Sequence, residues 1–281
     1  MGLIDVKTMA RSDFPFATRL TNTMNWDLTE EDFRFMMAME PEGCFVALDD
    51  TKKTGLITTV SFDKIGWIGN VIVDTRYRSK GAGLQLVKHA MNYLVRKGVT
   101  VIGLYSYLDT VPFYKKLGFK SDCNFVRLAG HGSDGHVNVK SVESMNADDL
   151  KVVVDLDKRC AGWNRERLLK RIFKGSSDLC YVVHEGSGLL GFVMADWYRQ
   201  EVGPLVCRPS HDEEALGLLK VVLSKLANVD VRIGVLEAKQ EIIDALLDVN
   251  FREEFRVTRM YWGDKPEDTG CLLAMESLER G

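Results

Sequence analysis

The chain has 281 residues, of which 46% are hydrophobic and 27% charged, a composition typical of a soluble globular protein with one large domain or two of average size. Its formal net charge of -3 argues against a protein that mainly binds nucleic acid or an acidic membrane. No apolar stretch approaches a membrane span, and six scattered cysteines without a CxxC pair favour a reducing compartment. We therefore expect a cytoplasmic protein with no structural disulfide and no metal.

Hydrophobic periodicity predicts the elements of the N-terminal half in chain order. A strand over residues 4–9 precedes a helix over about 12–22, with Ser12 as its N-cap, and a second helix runs from about 29 to 39. Strands follow over residues 44–48, 56–62 and 67–74. A helix from about residue 84 repeats apolar residues on one face and ends at Lys97-Gly98. A buried strand over 99–104, a short helix over 112–117 and a strand over 124–128 complete a mixed sheet with helices on both faces.

The most informative segment is Arg78-Ser-Lys-Gly-Ala-Gly83, which lies between an apolar strand and an amphipathic helix. Backbone N–H groups of such a turn and of the first helical turn point at one spot, where the helix dipole adds partial positive charge. Glycine allows the backbone to approach an anion without a Cβ in the way. The segment therefore predicts a pyrophosphate-binding turn.

An internal repeat indicates two copies of one fold. Met145 and Tyr181 match Met9 and Phe45 at a single separation, since 145−9 and 181−45 both equal 136. We predict domains over residues 1–131 and 139–281, joined by a glycine-rich linker over 132–138. The pair His131 and His136 in that region is better explained by a linker than by a metal site.

The N-terminal copy resembles the GNAT superfamily of N-acetyltransferases. The resemblance lies in V-x-x-x-x-R-x-x-G-x-G, from Val73 to Gly83, followed about 30 residues later by F-Y-x-x-L-G-F, from Phe113 to Phe119. The stretch 104–114 and the C-terminal Arg259-Met-Tyr-Trp-Gly263 are similar to a tandem subgroup with an active first domain and a degenerate second one. The implied fold class is α/β, an α+β mixed sheet in two tandem acyl-CoA N-acyltransferase folds. A proline usual in the family is here Thr75.

The resemblance implies acetyl-CoA as co-substrate, with its pyrophosphate on the glycine turn. In the family two strands splay apart after the pyrophosphate strand, and the pantetheine arm inserts between them. Backbone groups of the strand then hold the acetyl carbonyl and the pantetheine amides. The cofactor-binding residues implied are Val71, Ile72, Val73, Arg78, Ser79, Lys80, Gly81, Ala82, Gly83 and Leu84.

The chemistry requires a proton donor for the departing thiolate, and Tyr114 is the residue that the resemblance places there. An alternative role for Tyr114 is packing under the cofactor. Asp74, Asp109, Glu42 and His89 are conceivable general bases, and His89 is expected to be solvated; none is assigned. Trp26, Tyr107 and Asp109 are candidate acceptor-binding residues, although Trp26 also fits a hydrophobic staple before the helix at 29.

The second copy is expected to lack an active site. Its phosphate turn maps onto residues 210–215, where Asp212, Glu213 and Glu214 would repel an anion, and the counterpart of Tyr114 is Leu246. We expect an N-acetyltransferase in which an amine attacks acetyl-CoA directly, as a monomer or homodimer, without nucleic-acid or membrane partners. The alternatives are a non-catalytic acyl-CoA sensor and, less well supported by Arg78 and Lys80, a nucleotide-binding Rossmann protein.

Overall fold

The computed structural model describes residues 4–78, 80–132, 139, 141–186 and 188–281. Contacts divide the chain into two compact units. The first contains the described residues up to Leu104 together with 261–264 and Arg280, and the second contains 105–260, the described residues of 265–279 and Gly281. The division lies within a strand and not in the glycine-rich segment, most of which (133–138) lies outside the described residues. The predicted 1–131 and 139–281 boundaries remain a prediction.

The first unit is an α/β layer built on five strands. Its elements are β1 (Ile4–Thr8), α1 (Phe14–Thr21), α2 (Glu30–Met39), β2 (Cys44–Asp49), β3 (Lys52–Phe62), β4 (Ile65–Val73), α3 (Ala82–Arg96) and the start of β5 (Val101–Tyr107). The strands lie in chain order, antiparallel from β1 to β4, and β5 is parallel to β4. The crossover from β4 to β5 passes through α3, as a parallel pair requires.

The sequence patterns explain most of these boundaries. At the start of α2, Asp32 accepts hydrogen bonds from the Thr29 backbone N–H at 2.8 Å and from its hydroxyl at 2.9 Å, which confirms the predicted start. At α1 the predicted cap Ser12 is wrong, because residues 11–13 form a 3₁₀ turn. There the Asp13 carboxylate accepts the Ala10 N–H at 2.7 Å.

The second unit contains the last elements of the N-terminal copy and nearly all of the C-terminal copy. After the end of β5 it contains α4 (Val111–Lys115), β6 (Lys120–His131), β7 (Val142–Ser144), α5 (Asp149–Ala161), α6 (Glu166–Ser176), β8 (Tyr181–Glu185), β9 (Gly188–Asp196), β10 (Glu201–Cys207), α7 (Asp212–Lys225), β11 (Asp230–Leu236), α8 (Gln240–Asp248), β12 (Arg252–Trp262) and β13 (Leu272–Ala274). From β7 to β12 this order matches β1 to β6 element by element, which confirms the predicted tandem fold.

Strand order in the second unit shows how the two sequence copies are combined. The order is β12-β6-β11-β13-β10-β9-β8-β7. The strand β6 ends the N-terminal copy, yet it pairs antiparallel with β11 of the C-terminal copy from Phe125↔Leu236 to His131↔Asp230. Conversely, residues 261–264, which begin with the last two residues of β12, belong to the first unit, where the Tyr261 ring lies 5.8 Å from that of Trp67. The strand β6 of the N-terminal copy therefore belongs to the second unit, and the last two residues of β12 belong to the first.

Candidate active site

The candidate site starts where β4 loses one of its neighbours. The register between β4 and β5 ends at Ile68↔Leu104, although β4 continues to Val73. Across the other edge, a bulge places Asn70 and Val71 between the pairs Thr58↔Gly69 and Leu56↔Ile72. Among the described residues, no strand pairs with residues 69–73 on the β5 side. The backbone groups that face that side are therefore available to an extended ligand, except the Val73 carbonyl, which accepts a hydrogen bond from Arg78 Nε; the geometry resembles the addition of a strand to a sheet edge.

A short turn connects this free strand edge to α3. Asp74 caps the 3₁₀ helix Thr75–Tyr77 and accepts hydrogen bonds from the Arg76 backbone N–H at 3.0 Å and from its Nη2 at 2.7 Å. The Arg76 side chain thereby lowers the pKa of Asp74. Asp74, one of the conceivable bases, is thus held in the turn as an ionised carboxylate.

The glycine turn leaves open space where a Cβ would stand. Gly81 directly precedes α3 with φ +87°, a left-handed conformation that favours glycine, and a Cβ there would meet no atom within 4 Å. A Cβ on Gly83 would only reach ordinary contact with Val73 Cγ2 at 3.6 Å. Packing within the protein therefore does not require Gly83. Its small size fits a ligand that lies against the first turn of the helix.

Two exposed cations flank this turn. Arg78 Nε donates to the Val73 carbonyl at 3.2 Å, and Lys80 Nζ lies 4.9 Å from the centroid of the Tyr77 ring. Ser79 lies outside the described residues. Together with the unpaired N–H groups expected at a helix N-terminus, these side chains form a site suited to a pyrophosphate.

Tyr114 is nearly buried in the second unit, on α4. Its ring centroid lies 5.0 Å from that of Phe113 and 5.9 Å from that of Phe119, and 7% of the residue is exposed. Burial raises the pKa of the phenol above its usual range. Within the described part of the chain its hydroxyl forms no hydrogen bond. The side chain therefore keeps its proton at neutral pH and has that proton available for a ligand.

The three candidate acceptor residues lie apart in the sequence and in different units. Trp26 is half-buried in the loop before α2 of the first unit. Leu28, directly before the cap residue Thr29, is the buried residue at the staple position, so Trp26 does not have that role. In the second unit, Tyr107 ends β5 with its ring 5.1 Å from that of Phe255, and Asp109 is exposed in the following turn.

The remaining base candidates do not stand out. Glu42 is exposed in a turn. His89 was expected to be solvated, but it is half-buried, with its ring 4.6 Å from that of Phe45, and burial lowers its pKa. This expectation is wrong because the apolar face of α3 extends over β2 more widely than its main stripe indicates.

Sequence reasoning missed a buried carboxylate at the end of α2. Glu40 is 2% exposed and accepts hydrogen bonds from Ser61 N at 2.9 Å, Tyr93 OH at 2.7 Å and Lys97 Nζ. Burial alone would raise its pKa, but these hydrogen bonds, led by the one from Lys97, lower it overall. Glu40 connects α2 to β3 and to the C-terminal end of α3. No periodic pattern marks such a residue, because its partners are distant in sequence.

The corresponding gap in the second copy contains a strand of the same chain. The parallel pairing of β10 and β11 covers only Glu201–Val202, and β13 then lies between them. Cys207 N donates to Cys271 O at 3.0 Å, and Met275 N donates to Gly234 O at 2.9 Å. The free edge seen on β4 is therefore occupied on β10.

The start of α7 also differs from the start of α3. Asp212, Glu213 and Glu214 form its first turn, where their charges suit the helix dipole and disfavour an anionic ligand. Leu246, the counterpart of Tyr114, is fully buried. Across the described ranges, no group of three or more potential metal ligands occurs, and no helix is long and apolar enough to cross a membrane.

Both halves of the chain match models of one family of known proteins. A model of the acetyltransferase (GNAT) family matches residues 6–119, and one of the acetyltransferase (GNAT) domain matches residues 153–272. The holothin acyltransferase of Pseudoalteromonas sp. (strain SANK 73390) is 27% identical over 91% of this chain and 87% of its own length. The uncharacterized N-acetyltransferase YitH of Bacillus subtilis (strain 168) is 22% identical, over 78% of each protein.

Solved structures show the same fold over almost the whole chain. A protein described as an acetyltransferase from Pyrococcus horikoshii superposes with a TM-score of 0.81, at 19% identity, over 99% of this chain and 96% of its own. A GCN5-related N-acetyltransferase from Sphaerobacter thermophilus gives 0.72 at 11% identity, over 95% and 98%. With family matches in both copies, the chain belongs to the GNAT acetyltransferase family and is an acyl-CoA-dependent N-acyltransferase with two tandem GNAT domains.

Proposed function

We propose that the protein transfers the acetyl group of acetyl-CoA to a primary amine, by direct attack of the amine in a ternary complex. The observation that carries the proposal is the free edge of β4, which leads through the turn at 74–81 directly to the N-terminus of α3. An extended arm bound along that edge would end at a site suited to its pyrophosphate. Acetyl-CoA has this combination of an amide-containing arm and a diphosphate.

Different groups along the β4 edge and the following turn would bind different parts of acetyl-CoA. Backbone groups of Val71, Ile72 and Val73 would hold the pantetheine amides and the thioester carbonyl, whose oxygen becomes negative during attack. The pyrophosphate would be held by the N–H groups of residues 79–84, with Arg78 and Lys80 providing positive charge. The new C–N bond forms as the C–S bond breaks. The acylated nitrogen loses one proton to water, and the departing thiolate takes one from a donor.

We propose Tyr114 as the donor of that proton. Two properties of its own surroundings support this role. Its hydroxyl has no hydrogen-bond partner among the described residues, and burial raises its pKa so that the phenol stays protonated near neutral pH. A phenol with these properties can protonate a thiolate without first losing its proton to water.

We further propose a single active site, in the N-terminal copy. Two independent features of the second copy support this. The strand β13 already pairs with both β10 and β11 in the place of an inserted arm. The acids at 212–214 would also repel a pyrophosphate at the start of α7. The C-terminal copy would then act as a scaffold.

The proposal is tested by measuring binding and turnover separately. Calorimetric titration with acetyl-CoA should give one site per chain. Thiol release from acetyl-CoA should depend on an amine when the panel contains spermidine, lysine, kanamycin, a short peptide and holothin, the compound in the name of the holothin acyltransferase. Binding without turnover on every amine would instead support a sensor of acyl-CoA. Two sites per chain would contradict the single-site proposal.

A further inference from the structure

Asn70 occupies the point where β4 becomes free on one edge. It is the first residue of the bulge, two positions after the last β4–β5 pair, with φ +51°. Asparagine tolerates this left-handed conformation better than most residues, but a small turn residue would satisfy the backbone equally well. Asn70 is only 9% exposed.

The hydrogen bonds of this carboxamide are incomplete. Its Nδ2 donates to the Thr58 hydroxyl at 3.1 Å, and Thr58 is fully buried on β3. The Asn70 Oδ1 atom accepts no hydrogen bond from any residue that the structure describes. This oxygen is not one of the fully buried unpaired atoms of the described residues, so a small donor can reach it. The Thr58 contact restrains the amide plane and leaves the oxygen able to accept a hydrogen bond from a ligand.

We infer that Asn70 positions the attacking amine: its Oδ1 atom accepts a hydrogen bond from one N–H group of the amine. This inference rests on the proposed function, because it places an amine beside the thioester held at the β4 edge. A primary amine that directs its lone pair at a carbonyl carbon still has two N–H bonds that need acceptors. As the C–N bond forms, positive charge develops on the nitrogen and the N–H···O hydrogen bond strengthens. Asn70 would therefore contribute more to the transition state than to the bound amine.

Asn70 would not act as a general base. A carboxamide does not take up a proton near neutral pH, so Asn70 orients an amine that is already neutral. The rate should then rise with pH as the free amine loses its proton. Replacing Asn70 by Asp would place a carboxylate beside the amine and favour its ammonium form. The rise in rate should consequently move to higher pH in Asn70→Asp.

The best test is Asn70→Gly, because glycine accepts φ +51° without strain and removes only the side chain. With the most active amine of the panel, kcat/KM for the amine should fall roughly 10- to 100-fold, mostly through kcat, while acetyl-CoA binding stays within about twofold of the wild-type value. Thr58→Val, which frees the amide plane, should cause a smaller loss. Thr59→Val is the matched control: Thr59 is also fully buried on β3, and its hydroxyl donates to Gly43 O at 2.8 Å.

Three outcomes would overturn the inference. Asn70→Gly with wild-type kcat and KM would show that the carboxamide does not contact the amine, while the proposed function would stand. Equal kinetic losses in Thr58→Val and Thr59→Val, in proportion to lost thermal stability, would show a purely structural role. A wild-type protein that binds acetyl-CoA but acetylates no amine would refute the proposed function and this inference together.

Discussion

Replacing Gly83 by alanine should make the protein more stable and weaken its binding of acetyl-CoA. Gly83 is the second residue of α3, and an added Cβ would meet its nearest atom, Val73 Cγ2, at 3.6 Å. Alanine is favoured over glycine in helices by up to about 1 kcal/mol, and roughly half of that applies in the first turn. Without ligand, Gly83→Ala should therefore be more stable by about 0.5 kcal/mol, which corresponds to about 1–2 °C in Tm for a chain of this size.

Acetyl-CoA binding should change in the other direction. The new methyl group would occupy the space in which a pyrophosphate approaches the N–H groups of the turn. Loss of one charge-assisted hydrogen bond, worth about 1.5–3 kcal/mol, should weaken binding by roughly 10- to 100-fold. Thermal melts without ligand and calorimetric titration with acetyl-CoA measure the two effects independently.

Gly175→Ala provides the matched control. Gly175 lies in α6 of the second unit, and a Cβ there would meet no atom within 4 Å. This variant should gain a similar amount of stability and bind acetyl-CoA as the wild type does. If Gly83→Ala also binds acetyl-CoA normally, the turn does not hold the pyrophosphate and the proposed site is refuted. If it melts lower than the wild type, the space beside Gly83 is too small for a methyl group.

Three further predictions follow from the surroundings of single side chains. Tyr114→Phe should lower kcat by about 100-fold with acetyl-CoA affinity retained. The control Tyr181→Phe removes a hydroxyl that donates to the Asp178 carbonyl at 2.8 Å and should leave kcat unchanged. Full activity in Tyr114→Phe would exclude the acid role. Arg78→Ala should weaken acetyl-CoA binding several-fold at low salt and less at high salt. Arg76→Ala should weaken binding less, because Asp74 already neutralises Arg76. An effect of Arg78→Ala that does not depend on salt would contradict this prediction. Glu40→Gln should destabilise the protein by about 2–3 kcal/mol at pH 7 in urea titrations. Because the folded pKa of Glu40 is lowered, its contribution is present above the ordinary value of 4.5 and lost as the pH falls through the folded pKa, so wild type and variant should converge in acid.

Local patterns in the sequence were sufficient for the elements of the first copy and for the turn before α3. The helix at 29–39 and its cap were predicted because capping residues and periodicity act within a few residues. The pairing of β6 with β11 was not predicted, since strand order depends on contacts between residues about a hundred positions apart. Asn70 and Glu40 were missed for the same reason. Each is recognisable only from its burial and from hydrogen-bond partners on another element.

The clearest difference between the copies is the way each treats the same gap in its sheet. A parallel pair that stops early leaves backbone N–H and C=O groups unpaired, and buried groups of this kind need partners. In the second copy β13 supplies them: Leu205 pairs with Ala274 on one side of the inserted strand and Val235 on the other. In the first copy no described strand fills the equivalent place beside residues 69–73. The gap in each sheet therefore requires an extended segment that pairs with its backbone groups. In the second copy β13 is that segment, and in the first copy a bound ligand can take its place.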